Sequence, residues 1–176
     1  VPGVNDSWLK SNHRIISVGS CTTNCTAPIA KVLIDNFGVK YAMLTTIHAY
    51  TNDQALQDSA HHNVRRGRAG ALNMVPTTTG AAETVIEVLP KLKGLMTGLS
   101  VRVPIACGSL TDLTVEVVKS VSSASVNTAF KKAAKGSFKS IIEYTEDPIV
   151  SSDVIGNQHS AVVDGLSTQV DGNLVK

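Results

Sequence analysis

No apolar run in this 176-residue chain approaches the ~18 residues needed to cross a membrane. The opening stretch VPGVNDSWLKSNHR has no hydrophobic core of the kind a secretory signal carries. Cysteine is scarce and odd in number, three in all, which argues against a secreted disulfide scaffold and leads us to expect a reduced, cytoplasmic protein. Charge of one sign is also lacking: a net +2 gives no field that would draw nucleic acid by itself. Repeats and low-complexity tracts are absent. What remains, 43% hydrophobic and 17% charged, is the composition of one globular domain with room for a core. The arginines are unevenly spread. Three of the five (Arg65, Arg66 and Arg68) fall within four residues, a clustering that solvated surface charge does not require.

Periodicity divides the chain into elements. Residues 1–14 read as irregular, and HRIISVG reads as a short buried strand turning at Gly19. The apolar positions Ile29, Val32, Leu33 and Phe37 have helical spacing, with Gly38 as the stop. Pro28 is tolerated only near a helix start, which places that start close to Cys21. Residues 39–50 are rich in β-branched and aromatic side chains and read as a strand. Residues 51–79 are mostly polar with no sustained period, and a loop of that length is usually functional. A short helix ending before Pro90 follows. Next come strands in LSVRVPIA and LTDLTVEVVKSV, then a Ser-capped helix closed by Gly136, then strands in SIIEYT and SAVVDGLSTQV. Adjacent strands without crossover helices point to an α+β fold with a mixed, largely antiparallel sheet and its helices packed on one face.

The stretch SCTTNC holds two of the thiols. A structural zinc site wants four ligands, and the CxxxC spacing here with a lone Cys107 supplies none of the usual pairs, so no metal is expected. A disulfide between positions i and i+4 of a helix is geometrically poor. A small buried hydrophobe suits Cys25 and Cys107. For Cys21 that reading competes with another. At a helix start the unpaired amides and the dipole favour a thiolate, and Ser20, Thr22 and Thr23 add hydroxyl donors. A nucleophilic thiolate needs a base, and His48, at the end of a strand, is either an ordinary surface residue or that base.

Taken in order, SCTTNC with Ala-Pro two residues on, TTIHAYTNDQ, RRGRA, PTTTGAA and RVP resemble the catalytic domain of the phosphorylating glyceraldehyde-3-phosphate dehydrogenases, from about Ile15 to Lys176. The resemblance implies that residues 1–14 end a connection from a dinucleotide-binding Rossmann domain, of which no GxGxxG is present here. It makes residues 15–176 a catalytic domain that stops short of its final strand and helix. It makes Cys21 the nucleophile that forms a hemithioacetal and then a thioester, with NAD as the hydride acceptor and inorganic phosphate releasing an acyl phosphate. His48 is then the residue that moves the proton. Thr51, Arg66 and Arg102 match the site for the substrate's phosphate, with Arg65 as the other member of the RR pair. Ser20, Thr22, Thr79 and Gly80 match groups around the attacking phosphate. Arginine forks and hydroxyls suit phosphate oxygens, and a glycine lets backbone approach an anion at a helix start. Residues 51–79 become an S-shaped loop packed against a neighbour in a homotetramer.

Departures from the family pattern fall at Val18-Gly19, where an Asn-Ala pair is usual, and at Cys107-Gly108 after RVP. Two other functions compete. One is a sister dehydrogenase for erythrose 4-phosphate, against which Thr51 argues. The other is an inactive assembly or binding module, with any RNA contact through Arg65, Arg66 and Arg68. The chain by itself is expected to show no appreciable NAD-linked turnover.

Overall fold

A computed structural model describes residues 1–176. Helix α1 spans Cys21–Phe37 and starts where its cap dictates. Ser20 stays extended, and its hydroxyl accepts the Thr23 amide at 3.1 Å. The Asn24 side chain reaches back to the carbonyls of Val18 and Ser20, at 2.8 and 2.9 Å, and ties the incoming chain to the first turn. The start at Cys21 is as expected, and it leaves Pro28 inside the helix. The bond it forgoes is to the Asn24 carbonyl, and burial of Ala27, Ala30 and Leu33 holds the helix together across that gap.

Strand β1 (Val39–Ala49) is the centre of a six-stranded sheet ordered β2-β3-β1-β4-β8-β7. Its neighbours are β3 (Met96–Val103), parallel, and β4 (Ser109–Val117), antiparallel. Outside them lie β2 (Val75–Thr77), β8 (Leu174–Val175) and β7 (Val170–Asp171), all antiparallel to their neighbours. A separate parallel pair joins β5 (Ile142–Thr145) to β6 (Ala161–Asp164). The α+β class and the mixed, largely antiparallel sheet are as expected.

Period-2 alternation sorts β1 cleanly. Ala42, Leu44 and Thr46 are buried towards the helices, whereas Tyr41 and Met43 stand exposed on the other face. Helix α2 (Ala81–Val88) and helix α3 (Ser123–Lys135) join α1 over the buried side. The core runs through Leu33, Leu44, Val85, Val115, Val126 and Phe130.

Three expectations are corrected. Residues 13–19 form no strand, and Ile15 is 94% exposed: apolar content alone does not make a strand when no neighbouring backbone accepts its ladder bonds. Residues 51–79 are not structureless. They contain a 3-10 turn at Val64–Gly67 and the short strand β2, too brief to leave a periodic signal. Within this stretch the Ser59 amide donates to the Gly67 carbonyl at 2.9 Å, and a Cβ on Gly67 would lie 2.4 Å from the Ser59 oxygen, so only glycine closes the loop. SAVVDGLSTQV is interrupted by a 3-10 turn at Gly165–Ser167 and yields two strands instead of one.

Two carboxylates fasten the loop. Asp58 accepts the Ala69 amide at 2.9 Å and Arg68 Nε at 2.8 Å, and those bonds, the amide first, hold it below the usual carboxylate range. Asp53 is lowered chiefly by Arg66. A lowered carboxylate stabilises the fold above its ordinary value of about 3.9, and that contribution is lost as pH falls through the lower folded value. The urea midpoint should therefore hold steady from neutral pH down to about 5 and fall below about 4. Asp58→Asn should flatten part of that fall, and an unchanged acid profile in this variant would refute the assignment.

Candidate active site

The parallel pairing of β1 and β3 brings the two strand ends together, with His48 directly opposite Arg102. Cross-strand neighbours share a face, so both side chains rise on the helix side, where α1 begins. Cys21 Sγ lies 3.5 Å from His48 Nε2. The amides of Cys21 and Thr22 precede the first intrahelical bond and remain free to face an anion.

The tautomer turns on the other ring nitrogen. His48 Nδ1 is 2.7 Å from the Ala49 carbonyl and 2.9 Å from Arg102 Nη1. A guanidinium has no lone pair, so Nδ1 either donates to Ala49 or accepts from Arg102. Donation to Ala49 leaves a lone pair on Nε2 facing the sulfur, the state a base requires.

These residues open on a pocket of about 330 Å³, lined mostly by polar residues. Of the candidates drawn from the sequence, Ser20, Cys21, Thr22, His48, Arg66, Thr79, Gly80 and Arg102 line it. Two candidates do not. Arg65 is exposed, because successive side chains of a 3-10 turn diverge by about a third of a revolution and only Arg66 faces inward. Thr51 is engaged in a local turn, where its amide donates to Gln54 Oε1 at 3.3 Å. It stands outside the lining.

Arg66 is held at several points. Its Nε donates to Thr77 Oγ1 at 2.8 Å, its Nη2 to the Thr78 carbonyl at 3.2 Å, and its Nη1 to the Asp53 carboxylate. Arg102 is pushed down from its usual value by burial and then by the neighbouring Arg66 charge, while Cys21 and Asp53 pull it back. It remains a cation.

Sequence reasoning missed Thr46, Thr78, Thr84 and Ser100, which also line the pocket. Thr46 stands opposite Ser100 on β3 and Thr111 on β4, and its hydroxyl is buried without a partner. Period 2 from His48 would have flagged it. Cys25 keeps its structural role: its Sγ lies 3.7 Å from the Thr111 hydroxyl. Burial pushes its thiol up, Thr111 pulls it partly back, and Cys21 adds a further push.

Comparison with known proteins gives a consistent picture. Residues 20–176 match the profile described as glyceraldehyde 3-phosphate dehydrogenase, C-terminal domain. Glyceraldehyde-3-phosphate dehydrogenase 2 of Streptomyces avermitilis is 54% identical over 178 residues, covering 100% of this chain and 53% of that protein. Glyceraldehyde-3-phosphate dehydrogenase of Mycolicibacterium smegmatis is 52% identical over 176 residues, covering 100% and 52%. Glyceraldehyde-3-phosphate dehydrogenase 1 of Bacillus cereus is 54% identical, covering 100% and 53%. The chain thus spans about half the length of the curated relatives it matches. By sequence over nearly its whole length, this chain belongs to the glyceraldehyde 3-phosphate dehydrogenase C-terminal domain family.

Proposed function

We propose that this chain carries the acyl-transfer centre of a glycolytic, NAD-dependent, phosphorylating glyceraldehyde-3-phosphate dehydrogenase. The observation that carries this reading is the joint placement of a Cys-His pair and two guanidiniums around one pocket. Arg66 and Arg102 repel each other across it, and an anion between them relieves that repulsion.

The geometry supports the following steps. His48 Nε2 takes the Cys21 proton, and the thiolate attacks the aldehyde carbon to form a hemithioacetal. The Cys21 amide at the helix start stabilises the developing oxyanion, which takes the proton back from His48 to become the hemithioacetal hydroxyl and leaves the imidazole neutral. His48 then takes the hydroxyl proton as the carbon loses hydride, leaving a thioester on Cys21. A phosphate oxygen attacks the thioester carbonyl, the C–S bond breaks, and the acyl phosphate leaves with Cys21 as thiolate again. Arg66, Arg102, Thr22 and Thr79 are the groups we assign to the two phosphates, with Ser20 and Gly80 shaping the helix starts that face them.

When bound, NAD accepts the hydride. The thiol and imidazole fit its reacting end, whereas the small polar pocket offers no slot for an adenine ring, so this lining does not hold a whole dinucleotide. No helix is long and apolar enough to cross a membrane. A cytoplasmic location suits three free thiols, which reducing compartments keep unpaired. A homotetramer suits the open sheet face, where Tyr41, Met43, Leu99 and Leu110 are exposed.

The test needs no cofactor. Incubated with 1,3-bisphosphoglycerate, the chain should acquire a phosphoglyceroyl thioester on Cys21, visible by peptide mass mapping and reversed by inorganic phosphate. No acylation, or acylation of Cys107 to the same extent, would sink the reading.

A further inference from the structure

Asp53 lies five residues beyond His48, in the turn that leaves β1, and its carboxylate is bound on both sides. One oxygen pairs with Arg66 Nη1, and the other lies 3.6 Å from His61 Nε2. Arg66 therefore meets the pocket already carrying a counter-anion, and the Arg102 guanidinium is the pocket's other cation. The pair is not locked away. The Asp53 side chain is 45% exposed and Arg66 20%, so the carboxylate has solvent to withdraw into. An ion pair of that exposure is weak enough for a ligand to displace.

We infer that Asp53 is a specificity-determining residue, a resident carboxylate that occupies Arg66 and sets a threshold an incoming anion must beat. This rests on the proposal that the pocket binds phosphate. A monoanionic carboxylate entering the pocket offers Arg66 nothing that Asp53 does not already supply. A phosphate dianion carries twice the charge and enough oxygens to bridge Arg66 and Arg102 together. Asp53 thus filters the pocket for phosphate over carboxylate and weakens the affinity for both. Thr77 and the Thr78 carbonyl hold Arg66 by its other nitrogens, so the fork keeps its place when Asp53 lets go.

The test reads anion binding through protection of Cys21, with inorganic phosphate and acetate as probes at fixed ionic strength. In the parent chain, phosphate should slow alkylation by iodoacetamide and acetate should not. Asp53→Asn keeps a hydrogen-bond acceptor of the same size without the charge. In it, phosphate should protect at about two- to fivefold lower concentration, and acetate should begin to protect. Asp53→Glu, which restores the charge, should behave like the parent and guards against a folding defect in the first variant. Phosphate protection unchanged or weaker in Asp53→Asn, with acetate still inert, would overturn the filter and leave the phosphate pocket standing. No protection by phosphate in any of the three proteins would remove both.

Discussion

Iodoacetamide at neutral pH should label Cys21 on the order of a hundredfold faster than Cys25, although the two thiols sit one turn apart on the same helix. The difference lies in their surroundings. Cys21 is exposed at the helix start with an imidazole nitrogen 3.5 Å from its sulfur. Cys25 is turned into the strands against Thr111, where burial keeps its thiol protonated. Cys107, exposed and with no hydrogen bond to an imidazole, is the internal control. His48→Asn should slow Cys21 about tenfold or more while Cys107 holds its rate, because the amide fills the space without accepting a proton. Equal rates at Cys21 and Cys107 in both proteins would mean that the pocket does not activate its thiol.

Leu44→Ala should be the most damaging single truncation of the sheet. Leu44 is 1% exposed at the middle of β1, opposite Gly98 on β3 and Leu113 on β4. A Cβ on Gly98 would lie 3.1 Å from Leu44 and 3.2 Å from Ala82 of α2, so the leucine fills space that its neighbour leaves empty. Truncation opens a cavity that the rigid sheet cannot close, at a cost of about 2–5 kcal/mol. Against a total of about 5–15 kcal/mol, that is about a third of the stability at the middle of both ranges. The adjacent Met43→Ala is the matched control. Met43 is 65% exposed on the opposite face, and its loss should stay within about 0.5 kcal/mol. Urea midpoints for the two variants at unchanged slope decide the matter, and similar losses would contradict the two-faced sheet.

How much of this was legible in the sequence depends on where the signal resides. Strand β1 and helix α3 were readable because side-chain character and capping are local, written in Tyr41, Thr45, Thr46 and Ile47 and in Ser122 through Ser125. Residues 13–19 were misread for the complementary reason: Ile15 and Ile16 have strand character, but pairing is a property of a neighbour. Within the site, Cys21 and His48 were named from residue type and family likeness, and their contact comes from α1 starting above the end of β1. The choice between Arg65 and Arg66 was closed to sequence, because it depends on the phase of a 3-10 turn. Asp53 was hidden in a polar stretch where one carboxylate looks like any other until a guanidinium is found beside it.

The parallel pairing of β1 with β3 also has a consequence for how the protein folds. His48 and Arg102 are 54 residues apart in the chain, and Cys21 is a further 27 residues before His48. Nothing local brings them together, so the loop-closure entropy of that long connection must be met before any of the three acquires its neighbours. Hairpins such as β7–β8 and the capped helices can form early. The nucleophile's environment, by contrast, is assembled only when the central strands register, which makes thiol reactivity a late clock for the folding of this chain.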